Sequence, residues 1–357
     1  MESTTIAYFV SPHGFGHAAR ASAVMTAFQR CCDRFRFEIF TKMPGWFYQD
    51  SGVTNFVCHD LVTDIGMVQK NALNEDLPQT IAALDKFLPF DPILIARLAD
   101  QLVETDCRLV VCDIAPLGIA VAKAAGIPSV LIENFTWDWI YEAYIAQAPE
   151  IERHVSYLQG IFDSADIHIQ TEPICRRDSV DLTVGPISRV TREPIEQMRH
   201  TLGLPEAAKL VVLSMGGTFW DYSFLETLDL QEEVYFAVAG NQGVESRARL
   251  IALPLDIYHP DLLNAADALI GKVGYSTLAE VYQAGIPFGY IARSTFRESP
   301  FLVDYVEANI PCLRFEEDQF EDGRWLAHLP ALLALPRSNT KPFNGADEVA
   351  QFISRLV

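Results

Sequence analysis

Short, unbroken apolar runs recur along the chain, separated by stretches whose apolar residues return every three or four positions. Ile6–Val10, Phe35–Thr41, Leu109–Cys112, Ser129–Ile132 and Ile167–Gln170 have the length and the β-branched or aromatic content of strands. His17–Cys31 and Leu117–Ala125 carry helical spacing. Strands without a polar face belong inside a parallel sheet, with helices covering both sides. Residues 60–106 depart from this rhythm and predict an inserted, mostly helical excursion.

The alternation stops at Val184-Gly185-Pro186-Ile187 and then begins again. Lys209–Ser214, Tyr235–Ala239, Arg249–Leu253, Ala268–Ile270, Phe288–Ile291 and Cys312–Phe315 form a second strand series. After the break at Lys341-Pro342-Phe343-Asn344-Gly345, helical spacing returns in Ala346–Val357. The pattern predicts two doubly wound α/β domains, 1–187 and 188–342, and a helix in 343–357 that packs back on the N-terminal domain. Ligands of such sheets lie beyond the carboxyl ends of the strands, so two of them face to face predict a deep interdomain cleft.

Composition narrows the partners. A chain of 357 residues, half of them hydrophobic, has enough apolar content for about two cores. Its 27 Lys and Arg stand against 47 Asp and Glu, a net charge of −20 that repels nucleic acid and anionic lipid. Seven cysteines form no C-x-x-C pair, which fits a reducing compartment. With no basic leader and no apolar run of about 20 residues, the expectation is a cytoplasmic protein without an integral membrane segment. Nothing in the sequence fixes the oligomeric state.

Candidate chemistry begins where the first strand meets the first helix, at Ser11-Pro12-His13-Gly14-Phe15-Gly16-His17-Ala18-Ala19-Arg20. Gly14 and Gly16 permit a tight turn, and the helix N-terminus beyond them suits an anion. Gly14 to Ala19 also matches the G-x-G-x-x-A dinucleotide fingerprint, which requires an acid at the end of the second strand. Thr41 and Lys42 stand there instead. His17, in the first helical turn above the sheet edge, is suited to act as a general base. His13 and His17 have H-x-x-x-H spacing but lack the Glu and third ligand of a zinc site, so no metal is expected. Asp113, ending its strand at the same edge, is placed either to orient His17 or to cap the helix near Leu117. Asn134-Phe135-Thr136-Trp137-Asp138-Trp139 follows another strand, either lining an acceptor pocket or packing under the inserted segment.

In the second half, Ser214-Met215-Gly216-Gly217-Thr218 forms a glycine loop after a buried strand. Gly271-Lys272-Val273-Gly274-Tyr275-Ser276-Thr277-Leu278-Ala279-Glu280 runs from a strand into a helix. Lys272, Gly274, Ser276 and Thr277 form a cradle for a diphosphate, and Glu280 lies one turn on, within reach of ribose hydroxyls. A Walker A reading fails on Val273 and on the missing upstream glycine.

Taken together, these segments resemble the GT-B glycosyltransferases, of the family 1 and MurG-like family 28 kind. Ser11 to His17 resembles the S-P-x-G-H opening that carries the catalytic base of UDP-glycosyltransferases, and Lys272 to Glu280 resembles their H-C-G-W-N-S-x-x-E donor signature. The resemblance implies two Rossmann-like domains and an inverting, metal-independent transfer from a UDP-sugar or related nucleotide sugar. The acceptor would be a small molecule or glycan, and no cofactor is implied. His17 would be the base and Asp113 its partner. Gly16, Gly216, Gly217, Thr218, Lys272, Gly274, Ser276, Thr277 and Glu280 would hold the donor, and Leu255 and Ile257 the nucleobase. His13, Phe15, Asn134 and Trp137 would line the acceptor side. Two departures stand out. Lys272 replaces the histidine that opens the donor signature, and the acid–Gln pair that reads donor hydroxyls has no counterpart. Arg297 and Glu298 occupy that region instead. No D-x-D triplet is present to hold a metal-bound diphosphate. Two other classes fit the same architecture: a non-hydrolysing UDP-sugar epimerase, and a non-catalytic sugar-nucleotide-binding module.

Overall fold

The structure, a computed structural model, describes residues 4–32, 34–71, 73–216, 220, 222, 233–239, 244–254, 257–338 and 342–356. It divides into two compact units. Unit 1 comprises Met1–Val68, Glu75–Ser188 and Asn344–Val357, and unit 2 comprises Gln69–Asn74 and Arg189–Phe343.

Unit 1 is built on seven parallel strands: β1 (Thr4–Val10), β2 (Phe35–Thr41), β3 (Phe56–Asp60), β4 (Cys107–Asp113), β5 (Ser129–Glu133), β6 (Ile167–Thr171) and β7 (Leu182–Val184). Their order across the sheet is β3-β2-β1-β4-β5-β6-β7. β1, an interior strand beside the central β4, is buried over six of its seven residues. β3 sits at one edge with most of its side chains exposed, and β7 at the other has a polar, exposed Thr183 between Leu182 and Val184, so neither carries the continuous apolar pattern of the strands between them. The excursion after β3 contains the helices Leu77–Phe87 and Pro92–Glu104, each capped by an aspartate and begun with a proline in its first turn.

The helix Gly345–Ile353 completes this unit. Ala346, Val349, Ala350 and Ile353 are fully buried in the same core as Ala21, Met25 and Phe28 of the helix Phe15–Cys31. Asn344 caps it and exchanges hydrogen bonds with the backbone of Ser188, while Arg30 pairs with Asp347 at 2.5 Å.

Unit 2 is a six-stranded parallel sheet of β8 (Lys209–Ser214), β9 (Val234–Val238), β10 (Leu250–Ala252), β11 (Ala268–Lys272), β12 (Phe288–Ile291) and β13 (Cys312–Arg314), ordered β10-β9-β8-β11-β12-β13. Each face of the sheet has its own core. One centres on Trp325, Phe320 and Phe236, the other on Leu262, Leu278 and Val306.

In both sheets the strand order reverses beside the first strand, between β1 and β4 and between β8 and β11. At such a switch point the two adjoining connections leave in opposite directions and open a crevice at the carboxyl ends. Val10 pairs with Asp113 there in unit 1, and Ser214 with Gly271 in unit 2. A Cβ on Gly271 would lie 1.8 Å from the Ser214 carbonyl oxygen, so only glycine lets β11 run this close to β8.

Candidate functional site

At the switch point of unit 1, β1 leads through Ser11 to Gly14, whose φ of 78° starts the helix Phe15–Cys31. That positive φ is costly for any residue with a side chain. His17 is the third helical residue and projects over the end of β4. Its Nδ1 lies 2.8 Å from Asp113 Oδ1. An ionised carboxylate only accepts, so Nδ1 donates and the Nε2 lone pair is left for chemistry. The capping alternative for Asp113 is not realised: the helix Pro116–Ala125 has Ala115 at its N-cap, and Asp113 is fully buried.

Asp113 has a second partner that the sequence reading passed over. Arg20 Nε donates to Asp113 Oδ2 at 2.8 Å, Arg20 Nη2 to Oδ1 at 2.7 Å, and Arg20 Nη1 to Asn134 Oδ1 at 2.8 Å. Arg20 is 1% exposed, a burial that a guanidinium tolerates when its fork is matched this fully. Burial alone would raise the Asp113 carboxyl. The charge and hydrogen bonds of Arg20, joined by His17, hold it below the usual carboxylate range. Burial also pushes His17 below its ordinary value; Asp113 opposes that and Arg20 adds to it.

The surroundings are aromatic. Trp137 is fully buried, edge-on to His13 at 5.3 Å and tilted against His17 at 6.4 Å, and Phe135 meets both His17 and Trp137. Asn134 and Trp137 were expected to line an acceptor pocket. In the fold Asn134 accepts from Arg20, and the fully buried Trp137 packs against the two histidines. Phe15 is 37% exposed and touches Trp46, itself 44% exposed and absent from the sequence expectations. Asp64 was also missed. It is buried behind Ser11, whose Oγ donates to Asp64 Oδ1 at 3.0 Å, and burial pushes its carboxyl up to about 8.

In unit 2, Lys272 ends β11 and Gly274 caps the helix Tyr275–Ala284, with Ser276 and Thr277 in its first turn. A Cβ at Gly216 would stand 3.7 Å from Lys272 Nζ, so the two switch-point loops meet at this ammonium. Burial and the nearby Arg293 charge bring Lys272 down to about 8, against the opposing pull of Glu298. Glu298 is buried next to the helix Ser299–Asn309, and Arg297 is half-buried beside it. Ile257 packs against the unit 2 core. Gly217, Thr218 and Leu255 lie outside the described residues.

Glu280 is fully engaged within its own unit. Arg189 Nε donates to Oε1 at 3.0 Å and Arg189 Nη2 lies at the same distance. His259 Nδ1 lies 2.6 Å from Oε2. Burial would raise this carboxyl, but Arg189 and His259 bring it down to about 2. A ribose hydroxyl would have to share oxygens that already have partners. Neither Arg189 nor His259 was singled out from the sequence. Among the described residues no group of three metal-binding side chains occurs, and no helix is long and apolar enough to cross a membrane.

No protein family's model matches the chain. L-arabinokinase of Arabidopsis thaliana is 26% identical over 360 residues, which covers 97% of this chain and 34% of that protein; the chain therefore spans about a third of its relative. Among solved structures, the glycotransferase of kitacinnamycin is similar with a TM-score of 0.66 and 16% identity, covering 100% of both chains. Arabidopsis thaliana UGT89C1, solved with UDP, gives a TM-score of 0.64 and 12% identity over 99% of this chain and 100% of that one. The two-sheet α/β architecture is the GT-B fold of these glycosyltransferases.

Proposed function

We propose that this chain transfers a glycosyl group from a nucleoside-diphosphate sugar, a UDP-sugar in the first instance, to a hydroxyl of a small-molecule or glycan acceptor. The observation that carries this reading is the 2.8 Å contact between His17 Nδ1 and Asp113 at the unit 1 switch point. A base with its tautomer fixed, on a first helical turn beyond a sheet edge, is what deprotonation of an attacking hydroxyl requires. In the proposed step, Nε2 of His17 takes the acceptor proton as its oxygen bonds to the anomeric carbon. The bond from that carbon to the diphosphate oxygen breaks, the configuration inverts, and the nucleoside diphosphate leaves. Lys272 and the amides opening Tyr275–Ala284 neutralise the leaving group without a metal. The UDP in UGT89C1 supports a pyrimidine donor.

A second reading is favoured by the L-arabinokinase likeness: a sugar or sugar-nucleotide-binding unit that performs no transfer, working beside another catalytic segment. Calorimetry with UDP and a panel of UDP-sugars, UDP-L-arabinose included, separates the two when followed by turnover with mixed hydroxyl acceptors in EDTA. Metal-independent UDP release that is lost in His17→Ala, with nucleotide binding retained, supports transfer. Tight binding without turnover of any donor supports the binding unit. Absence of all nucleotide binding overturns both.

A further inference from the structure

The carboxylate that orients His17 is also the counter-ion of a buried arginine, and this changes what the pair does. Asp113 gives Oδ1 to both His17 Nδ1 and Arg20 Nη2, and gives Oδ2 to Arg20 Nε. Arg20 Nη2 also stands 3.4 Å from His17 Nδ1. A guanidinium does not deprotonate in a protein, so Arg20 and Asp113 are already a neutral pair before His17 is counted. A proton added to His17 therefore creates a net positive charge in a closed site. With Asp113 alone, the same proton would have cancelled a negative one.

We propose that Arg20 is a positioning residue that tunes the charge state of His17: it offsets the Asp113 charge, so that Asp113 locks the Nδ1–H tautomer while holding the imidazolium less firmly than a lone carboxylate would.

The neighbours of His17 add nothing that restores the missing negative charge. From its own helix the charged group is Arg20, and from β4 it is Asp113. The β1 loop brings His13, and the segment after β5 brings the uncharged Phe135 and Trp137. Asp64, behind Ser11, is held protonated up to about 8 by its burial. Tyr8, fully buried on β1 close to Asp113 and Arg20, has its hydroxyl pushed well above the usual range by burial. Asp113 and Arg20 are the charges that act on the ring, and burial disfavours its protonation further. Arg20 is in turn held by Asn134, so the device spans β4, β5 and the first helix.

As a charge assignment, the proposal stands apart from the transfer reading; its meaning for catalysis rests on that reading. The test is a pH titration of the full chain labelled with ¹⁵N-histidine, following the ring nitrogens by long-range ¹H–¹⁵N correlation and assigning His17 with His17→Gln. Wild-type His17 is expected to show the Nδ1–H neutral tautomer with a midpoint below 6.5. Arg20→Met should raise that midpoint by about one to three pH units. Arg20→Lys, which keeps the charge but loses the fork, should leave it low. A midpoint unchanged or lowered in Arg20→Met overturns the proposal. If that variant does not fold, Arg20→Gln, which keeps amide donors without the charge, is read in the same way: a raised midpoint supports the proposal and an unchanged or lowered one overturns it. A low midpoint that rises in Arg20→Met, in a protein that turns over no nucleotide sugar, sinks the transfer reading and leaves the Arg20 assignment standing.

Discussion

Two buried carboxylates, one in each unit, are held in the same way by different chain segments. Asp113 lies between His17 and Arg20, and Glu280 between His259 and Arg189. The difference lies in how the oxygens are divided. At Asp113 the histidine and the arginine meet on one oxygen, which crowds a cation against the imidazole. At Glu280 Arg189 takes Oε1 and His259 takes Oε2, which keeps the two apart. The first arrangement disfavours protonation of its histidine, which suits the base proposed for it, whose lone pair must be free. The second fixes a ring and a guanidinium in place, which suits the binding role proposed for this cluster. Composition alone would equate the sites, and atom-by-atom geometry separates them.

The most severe break in this comparison should come from the histidines. Replacing His17 by alanine is expected to reduce turnover by about 10²–10⁴-fold with nucleotide affinity retained. His259→Ala should weaken nucleotide binding while leaving the bound-state rate within a few-fold, as measured by single-turnover kinetics against binding. Equal losses in kcat from both would erase the distinction.

Next in size are the carboxylates themselves. Asp113→Asn leaves Arg20 buried without its counter-charge and should cost about 3–5 kcal/mol in urea unfolding. Glu280→Gln should cost less, because the His259 side chain is 20% exposed and water can relieve it. A larger loss at Glu280 would mean that the structural clamp, and not the base, is the more tightly built.

Lys272 sharpens the picture of unit 2. Its ammonium titrates at about 8 in the free protein. A bound diphosphate favours the charged form, so binding takes up a proton near that pH. UDP affinity should then fall by up to about tenfold per pH unit above 8, and Lys272→Met should remove that slope in calorimetry. A pH-independent affinity would place the diphosphate elsewhere.

The smallest expected effect is on acid stability. Both shifts are downward, so each group contributes stability above its unfolded value and loses it as pH falls toward the folded one. For His17 the loss begins as pH drops through about 6.5, and for Glu280 it runs from 4.5 toward about 2. Thermal melts across that range should show an early shallow decline that His17→Gln removes. A later decline should be removed by Glu280→Gln.

Much of this was legible in the linear chain. Continuous apolar strands declare themselves, and residues at their carboxyl ends or in the first turn of the following helix, such as Asp113 and His17, fall at the sheet edge by topology alone. Arg20 was hidden because an arginine on an alanine-rich helix looks like a solvent-facing residue. What buries it, Asp113 and Asn134, lies 93 and 114 residues away. Glu280 could be placed on its helix, but the clamp around it depends on Arg189, 91 residues back, and so was invisible to local pattern. Trp137 was readable two ways, as a pocket wall or as packing under the inserted segment, and the sequence could not show that it packs fully buried against His13 and Tyr141. β3 and β7 escaped because each exposes or only half buries most of its residues and so lacks a continuous buried apolar run.

The helix Gly345–Ile353 has a bearing on how the protein is made. Its side chains fill the core around the helix Phe15–Cys31, yet all of Arg189–Phe343 is synthesised in between. A nascent chain halted anywhere in unit 2 carries a first sheet whose apolar flank is still uncovered, which chaperones and proteases recognise. A chain terminated within unit 2 lacks the side chains of Gly345–Ile353 that complete the first core, so it is expected to be cleared as a fragment.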